Sequence, residues 1–339
     1  MIDSKPTVRI NFVNGLSFQD SAPDILGELL KEYQLVHDSE NPQVVVYGPY
    51  GNQVPQGNFI RVGYYCENFT PDMEVCEYGF GVPYESEINH PRYRRIDFQA
   101  CDPRNLLKES GFAEKAMSQH THFCNFLFGN SIAYREKFYD QLCKYKRPDS
   151  PGRSRNNMPA LPTDGKLSRS DSKRAFIRKY KFTIAFENYT YPGYHTEKII
   201  EPMEEGSMPV YIGNPDIAQF YNSDSFLNAR LYLPDGRDSY TLFLEKHSQA
   251  NYRDWRPSLY NSPVDRIRRK LRKTGRHLKL QHEFRFGFEQ LIEEIIRLDR
   301  DDDAYFKKIN QPWLINNQLP DRSRFFGQWR QIFEEAQQY

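Results

Sequence analysis

The residue types that could bind a substrate are concentrated in a polar segment at residues 186–198. It holds an amide at Asn188, a carboxylate at Glu197 and a lysine at Lys198, with turn-forming residues between them. Such a density of polar side chains between apolar runs is typical of a binding loop. Because tyrosine and glycine are common in loops and a lone Glu–Lys pair is usually solvated, an ordinary surface loop remains the alternative.

The sequence on either side of this segment predicts where it lies. Residues 180–186 alternate and are rich in β-formers, which predicts a strand. Residues 197–205 favour a helix that ends at Gly206, and residues 209–213 predict a short buried strand. A strand, helix and strand in this order form a right-handed parallel unit, and ligands of such units bind beyond the carboxyl ends of the strands.

The start of the predicted helix lies beside the lysine. Thr196 could cap the helix, which would leave free N–H groups and a partial positive charge directed at an anion next to Lys198. Pro202 conflicts with this helix, because proline lacks a backbone N–H and clashes with the preceding turn. We therefore expect the helix either to be kinked or to begin later than Thr196 would place it.

Three blocks of sequence, in order along the chain, resemble one known family. Residues 186–198 followed by Pro209-Val210-Tyr211-Ile212-Gly213 resemble the signature of the α1,3-fucosyltransferases, glycosyltransferase family 10. Residues 128–157 are similar to the family's segment with an arginine before a Phe-Tyr helix, although Gly129-Asn130 replaces its serine–asparagine pair. Residues 64–81 resemble its acceptor-side Glu-Asn-x-x-Pro segment.

The resemblance implies an α/β fold of two Rossmann-like domains that face each other across a cleft, the GT-B arrangement. The chain has 339 residues, of which 38% are hydrophobic, so it can bury two cores. We expect an acceptor-side domain at residues 1–112 and a donor-binding domain at residues 113–312, with an insertion at about residues 230–282. Residues 313–339 should form a helical segment that packs back on the body, since its aromatic residues have helical spacing.

Other elements follow from local patterns. Strands are predicted at residues 7–12, 44–47, 59–64 and 122–127, and helices at residues 24–33 and 132–145. Residues 151–172 are rich in Ser, Arg, Pro and Gly and predict a long loop, which in a compact domain is often functional. Disorder without function is an equally good interpretation of residues 161–171.

The activity implied by the resemblance is inverting transfer of L-fucose from GDP-fucose to the 3-hydroxyl of N-acetylglucosamine or glucose in a galactosyl-containing glycan. Breaking the sugar–diphosphate bond develops charge on the β-phosphate, which must be stabilised electrostatically. The resemblance places Arg135 and Lys198 at the diphosphate and makes Glu67 the base for the acceptor hydroxyl. The alternatives are another acceptor, a 4-hydroxyl target, or a binding module for a GDP-sugar or glycan without catalysis.

The resemblance also assigns residues to the donor. Asn188, Tyr194 and Glu197 match donor-binding positions, and Asn130, Gly152 and Asn157 are possible donor-side residues. Two neighbours receive no such role: strand alternation directs Glu187 to the opposite face, and His195 is interpreted as a histidine on the loop surface.

No cofactor or metal is expected to be required, and a divalent metal would be at most stimulatory. Residues 301–303 form the one acidic cluster that suggests a metal, but they match a surface turn. The net charge of +1 does not indicate nucleic-acid binding. The basic run at residues 265–279 is interpreted as a solvated or substrate-steering face, with contact to an anionic membrane as the sharper hypothesis.

The five cysteines lack metal-ligand spacing and are interpreted as reduced, which predicts a cytoplasmic protein. Peripheral contact with the inner membrane is the sharper hypothesis. No apolar run has the length of a membrane span, and residues 1–23 contain no signal-peptide core. The resemblance therefore implies a bacterial-type member of the family or a catalytic domain, since eukaryotic members carry an N-terminal anchor.

Overall fold

Each half of the chain forms a parallel β-sheet in the computed structural model, which describes residues 5–51, 53–98, 101–162, 168–234 and 236–339. The first sheet has the strand order β2-β1-β3-β4-β6-β7, and a short strand, β5, lies outside it. The strands and helices of this half are β1 Thr7–Val13, α1 Phe18–Leu26, β2 Gln34–His37, β3 Val44–Tyr47, β4 Ile60–Tyr65, β5 Phe69–Thr70, β6 Tyr78–Gly81, α2 Glu85–Ile88 and β7 Tyr93–Arg95.

The second sheet has the order β11-β10-β9-β8 and is covered by helices. Its elements are α3 Phe112–Gln119, β8 His122–Asn125, α4 Ala133–Leu142, α5 Arg169–Ile177, β9 Tyr180–Phe186, α6 Glu197–Glu204, β10 Met208–Ile212 and β11 Leu227–Asn228. Two parallel α/β units of this kind agree with the fold class implied by the resemblance.

After β11 the chain forms six α-helices and one short strand among the described residues, and these elements contact both halves. They are α7 Ser239–Ser248, β12 Ala250–Asn251, α8 Tyr252–Trp255, α9 Pro263–Glu283, α10 Glu289–Arg300, α11 Asp302–Ile309 and α12 Ser323–Ala336. Strand β12 pairs in parallel with β5 of the first half, and α9 runs back to the second half, where the Lys279 ammonium contacts the Thr190 carbonyl. The segment at residues 230–282 therefore contacts both halves.

Helix α12 lies against the first sheet. Trp329 is fully buried and stacks on Phe80 of β6, with ring centroids 4.6 Å apart. Gln43 donates a hydrogen bond of 2.7 Å to the Ala336 carbonyl at the end of the helix. The C-terminal helix thus contributes to the core around the first sheet.

Two expectations about helices differ from the structure. Helix α6 begins at Glu197, directly after Thr196, and contains Pro202, so a later start is wrong. The helix expected at residues 24–33 is instead α1 at Phe18–Leu26, because Ser17 caps it by accepting a hydrogen bond from the Asp20 N–H.

Candidate active site

A buried carboxylate organises the loop between β9 and α6. Glu187 follows the last residue of β9, and its side chain has no exposed surface. One oxygen accepts hydrogen bonds from the Thr196 N–H at 2.8 Å and hydroxyl at 2.9 Å, and the other lies 3.3 Å from the Lys198 ammonium. Glu187 therefore ties the start of α6 to the end of β9. Sequence analysis missed this role. The one feature of the sequence that could have indicated it is a carboxylate directly after a predicted buried strand.

Lys198 lies where the loop meets the helix. Its ammonium is 3.1 Å from the Thr196 hydroxyl and 3.1 Å from Glu197 Oε1. Burial alone would lower the pKa of Lys198, but Glu187 and Glu197 together raise it above its ordinary value. The lysine is therefore held as a cation, with part of its side chain exposed, at the N-terminus of a helix.

Arg135 of α4 contacts the same loop. Its side chain is 1% exposed and donates hydrogen bonds to the Phe186 carbonyl at 2.8 Å and to Asn188 Oδ1 at 3.0 Å. The guanidinium carbon lies 3.8 Å from the centre of the Phe128 ring, and burial lowers the pKa of Arg135. The structure thus brings Arg135 and Asn188 into direct contact, and the charge of Arg135 also acts on Lys198.

Glu67 lies between β4 and β5 at the carboxyl edge of the first sheet. It is half-buried, and its Oε1 accepts a hydrogen bond of 2.6 Å from the Tyr50 hydroxyl. Burial, followed by the charges of Glu187, Glu67 and Glu197, raises the pKa of Tyr194. Glu67 of the first domain therefore lies within electrostatic reach of residues of the second domain.

The three possible donor-side residues belong to two loops, one before α4 and one after it in the chain. Asn130 is exposed, and its carbonyl lies 3.5 Å from an Arg135 nitrogen. A Cβ at Gly152 would lie 2.3 Å from the Phe128 carbonyl oxygen, so only glycine permits this close approach of two backbones. Asn157 is occupied within the second of these loops, where its side chain bonds the Ser150 N–H and the Pro148 carbonyl, both at 2.8 Å. Gly152 and Asn157 therefore act on the shape of this loop.

A cavity of about 740 Å³ opens next to Asn188, between the N-terminus of α4 and helix α9. Four lysine and arginine side chains line it, which suits the binding of an anionic ligand. These basic residues are Lys137, Lys273, Arg276 and Arg285.

Two aromatic residues of the loop are buried. His195 is 2% exposed, and its Nε2 donates a hydrogen bond of 2.7 Å to the Asp97 carbonyl of the first domain. Burial, together with the nearby charge of Arg95, lowers the pKa of His195 well below its usual value. The expectation of a surface histidine is wrong, because His195 joins the two domains. Tyr194 is also buried, so its ring is part of the core beneath the site.

The acidic cluster at residues 301–303 has a structural role. Asp301 Oδ1 accepts a hydrogen bond of 2.9 Å from the Ala304 N–H and caps α11, and Asp302 lies 2.8 Å from the Lys181 ammonium. Within the described ranges, no group of three or more His, Cys, Asp or Glu side chains could hold a metal ion.

Two family models match this chain. The C-terminal model of glycosyltransferase family 10 (fucosyltransferase) matches residues 118–280, and the N-terminal domain model of α-(1,3)-fucosyltransferase FucT matches residues 10–100. Together the matches cover about three quarters of the chain, and the first includes nearly all of the segment at residues 230–282. The interpretation of that segment as an insertion remains a prediction.

Similar curated proteins come from several sources. An α-(1,3)-fucosyltransferase FucT of Helicobacter pylori is 31% identical over 62% of this chain and 48% of its own length. A putative fucosyltransferase of Acanthamoeba polyphaga mimivirus is 32% identical over 34% of this chain and 19% of its own. A GDP-fucose protein O-fucosyltransferase 3 of Bos taurus is 30% identical over 36% of this chain and 27% of its own. The chain spans less than half the length of these relatives.

The fold is shared with a solved structure of an α1,3-fucosyltransferase with GDP-fucose. The two agree with a TM-score of 0.61 and 18% identity over 98% of this chain and 93% of that chain. At this identity, the agreement concerns the arrangement of the two domains.

Proposed function

This chain belongs to glycosyltransferase family 10, the fucosyltransferases, and on that premise we propose that it transfers L-fucose from GDP-fucose with inversion at the sugar carbon. The observation that carries the proposal is the cluster of Glu187, Glu197 and Lys198 at the carboxyl edge of the second sheet, within electrostatic reach of Glu67. A fixed cation on one side of the cleft and a carboxylate on the other suit the departure of a diphosphate and the activation of a hydroxyl.

The two cations have different parts in this proposal. Lys198 is partly exposed and directly contacts the β-phosphate as charge develops on it. Arg135 is almost fully covered, so it adds positive charge from beneath and orients Asn188 toward the donor hydroxyls. The basic cavity beside Asn188 accommodates the nucleotide. Glu197 accepts hydrogen bonds from donor hydroxyl groups.

Glu67 is the base in this proposal. The Tyr50 hydroxyl donates a hydrogen bond to one carboxylate oxygen of Glu67. The other carboxylate oxygen accepts the proton of the acceptor hydroxyl while the hydroxyl oxygen of the acceptor attacks the sugar carbon. The bond to the diphosphate breaks on the opposite face, so the β-linkage of the donor becomes an α-linkage in the product. No metal is required, since Lys198 and Arg135 supply the positive charge.

The acceptor we favour is the 3-hydroxyl of N-acetylglucosamine, or of glucose, in a galactosyl-containing glycan, because one relative is named an α-(1,3)-fucosyltransferase. Other relatives are named protein O-fucosyltransferases, so a serine or threonine hydroxyl is the main alternative. Incubation with GDP-fucose and N-acetyllactosamine, lactose or serine- and threonine-containing peptides distinguishes these acceptors. Nuclear magnetic resonance of the product then separates 3- from 4-fucosylation. Failure of every acceptor despite donor binding would favour a non-catalytic module.

We also propose that α9 contacts anionic lipid, because most of its apolar residues face outward. The buried side is polar: Arg272 pairs with Asp254, and Lys279 lies 2.8 Å from Glu245. At about 100° per residue, the exposed apolar side chains fall within an arc of about 60°. They are Val264, Ile267, Leu271 and Leu278. Lysines and arginines flank this stripe, as in helices that lie on anionic membranes.

Co-sedimentation with vesicles of anionic and of neutral lipid tests this contact. We expect binding to anionic vesicles that the double change Ile267→Asp and Leu271→Asp abolishes, whereas Leu319→Asp at another exposed site has no effect. Equal binding by both variants would contradict the proposal. No helix among the described residues is long and apolar enough to cross a membrane.

A further inference from the structure

Two exposed aromatic rings lie at the carboxyl edge of the first sheet, next to Glu67. Tyr50 is 60% exposed and Trp255 is 41% exposed, and their ring centroids are 6.1 Å apart. Tyr50 is also the residue whose hydroxyl binds Glu67. Single exposed rings are common, but two large rings exposed side by side next to a candidate base form a contiguous apolar patch of the kind that marks binding sites.

Trp255 is held firmly despite its exposure. It lies 5.2 Å from Phe69 in a stacked arrangement, with ring planes 7° apart. The next residue, Arg256, is buried and donates a hydrogen bond of 2.5 Å to the Gly48 carbonyl, and Arg253 lies 2.8 Å from Asp72. One part of the indole is therefore fixed on Phe69 while another is open to solvent, which is the geometry of a preorganised binding surface.

The segment at residues 230–282 places this tryptophan beside β5. Strand β12 pairs with β5, with Ala250 opposite Phe69 and Asn251 opposite Thr70. Helix α8 begins immediately after this pairing and ends at Trp255. Because β5 follows Glu67 closely in the chain, the pairing fixes the position of the indole relative to the candidate base.

We propose that Trp255 and Tyr50 form the subsite for the acceptor sugar, with the C–H face of a pyranose ring packed on the indole. The inference rests on the proposed function, because it takes Glu67 as the base. An aromatic ring offers a flat apolar surface of the size of a sugar ring, and the neighbouring Tyr50 ring extends this surface. Tyr50 is in addition a positioning residue, since it holds one Glu67 oxygen and leaves the other for the acceptor hydroxyl.

Trp255→Ala should raise the KM for N-acetyllactosamine about tenfold or more, while the KM for GDP-fucose changes less than about twofold. Trp255→Phe should recover most of the loss, because phenylalanine can also stack on Phe69. Tyr50→Phe should lower kcat with little change in the acceptor KM. Phe243→Ala removes another exposed aromatic residue of the same segment and serves as the control.

Tryptophan fluorescence provides a readout independent of turnover. Trp255 is the exposed one of the three tryptophans, since Trp313 and Trp329 are fully buried. Titration of N-acetyllactosamine in the presence of GDP should change the emission of the wild type and of Phe243→Ala, but not of Trp255→Ala or Trp255→Phe.

The outcomes separate this subsite from the proposed function. Binding reported by Trp255 without any fucose transfer would contradict the proposed function and leave the subsite standing. Transfer with an unchanged acceptor KM in Trp255→Ala, or no emission change in the wild type, would overturn the subsite. If Trp255→Ala fails to fold, the subsite is tested instead by the emission of the wild type and by the kinetics of Trp255→Phe and Tyr50→Phe.

Discussion

At the level of single residues, the charge of Lys198 depends on a carboxylate that need not touch the donor. Glu187 is fully buried, and burial raises its pKa although Lys198 opposes this shift. The pair keeps a lysine cationic at a helix N-terminus, where an anion binds most favourably. Donor affinity should therefore respond to a change at a buried residue.

Glu187→Gln should weaken GDP-fucose binding about tenfold, because the Lys198 ammonium loses its buried negative partner. The amide oxygen of glutamine can still accept the Thr196 N–H, so the loop should remain folded. Calorimetric titration with GDP-fucose measures the effect, with the exposed Glu40→Gln as the control. Unchanged affinity would show that Lys198 does not depend on this pair.

The buried His195 predicts a loss of stability in mild acid. Its pKa is lowered in the folded protein, so below about pH 6.5 the unfolded chain takes up a proton that the folded chain does not. The free energy of unfolding should therefore decrease as the pH falls from 7 to 5, by up to about 1.4 kcal/mol per pH unit from this group. Urea denaturation at several pH values should show a smaller slope for His195→Gln. Equal slopes would contradict this assignment.

The same residues show what sequence analysis can reach at this scale. The proposed roles of Glu67, Arg135 and Lys198 come from their resemblance to family motifs. The contacts of Glu187 with Lys198 and of Tyr50 with Glu67 were not predicted, because they form only when the loops fold and local pattern does not show them. His195 was misjudged because its partner, the Asp97 carbonyl, belongs to the other domain.

At the level of elements, buried strands were predicted most accurately. The predictions for β3 and β9 match the observed bounds, because a continuous apolar run marks β3 and an alternation of β-forming residues marks β9. Helix α1 was displaced because its cap, Ser17, lies before the pattern that suggested the helix. Helix α9 has its polar side buried and its apolar side exposed, an arrangement that depends on ion pairs with other elements.

Helix α12 gives a stability prediction for the first domain. Trp329→Ala should lower the free energy of unfolding by about 3–5 kcal/mol, because it removes a fully buried ring stacked on Phe80. Gln331→Ala, at an exposed position of the same helix, should change it by less than about 0.5 kcal/mol. Urea denaturation measures both changes, and a small effect of Trp329→Ala would mean that the helix contributes little to this core.

At the level of the whole molecule, specific contacts join the two domains and the segment at residues 230–282. Arg95 of the first domain donates a hydrogen bond of 2.8 Å to the Gly193 carbonyl in the loop of the second. The pairing of β12 with β5 adds a second connection. Neither connection could be predicted from local pattern, since each joins segments separated by about a hundred residues or more. The two-domain architecture itself was predictable from the family motifs and the alternation of strands and helices.

The central claim is that Glu67 activates an acceptor hydroxyl across the cleft from Lys198 without a metal. The most direct test measures GDP release from GDP-fucose, with and without N-acetyllactosamine, in the presence of EDTA. The wild type and Glu40→Gln should show acceptor-dependent release, and Glu67→Gln should lose it by about 10²–10⁴-fold while GDP-fucose still binds. Acceptor-dependent release at the wild-type rate in Glu67→Gln, or its loss in EDTA for the wild type, would contradict the account.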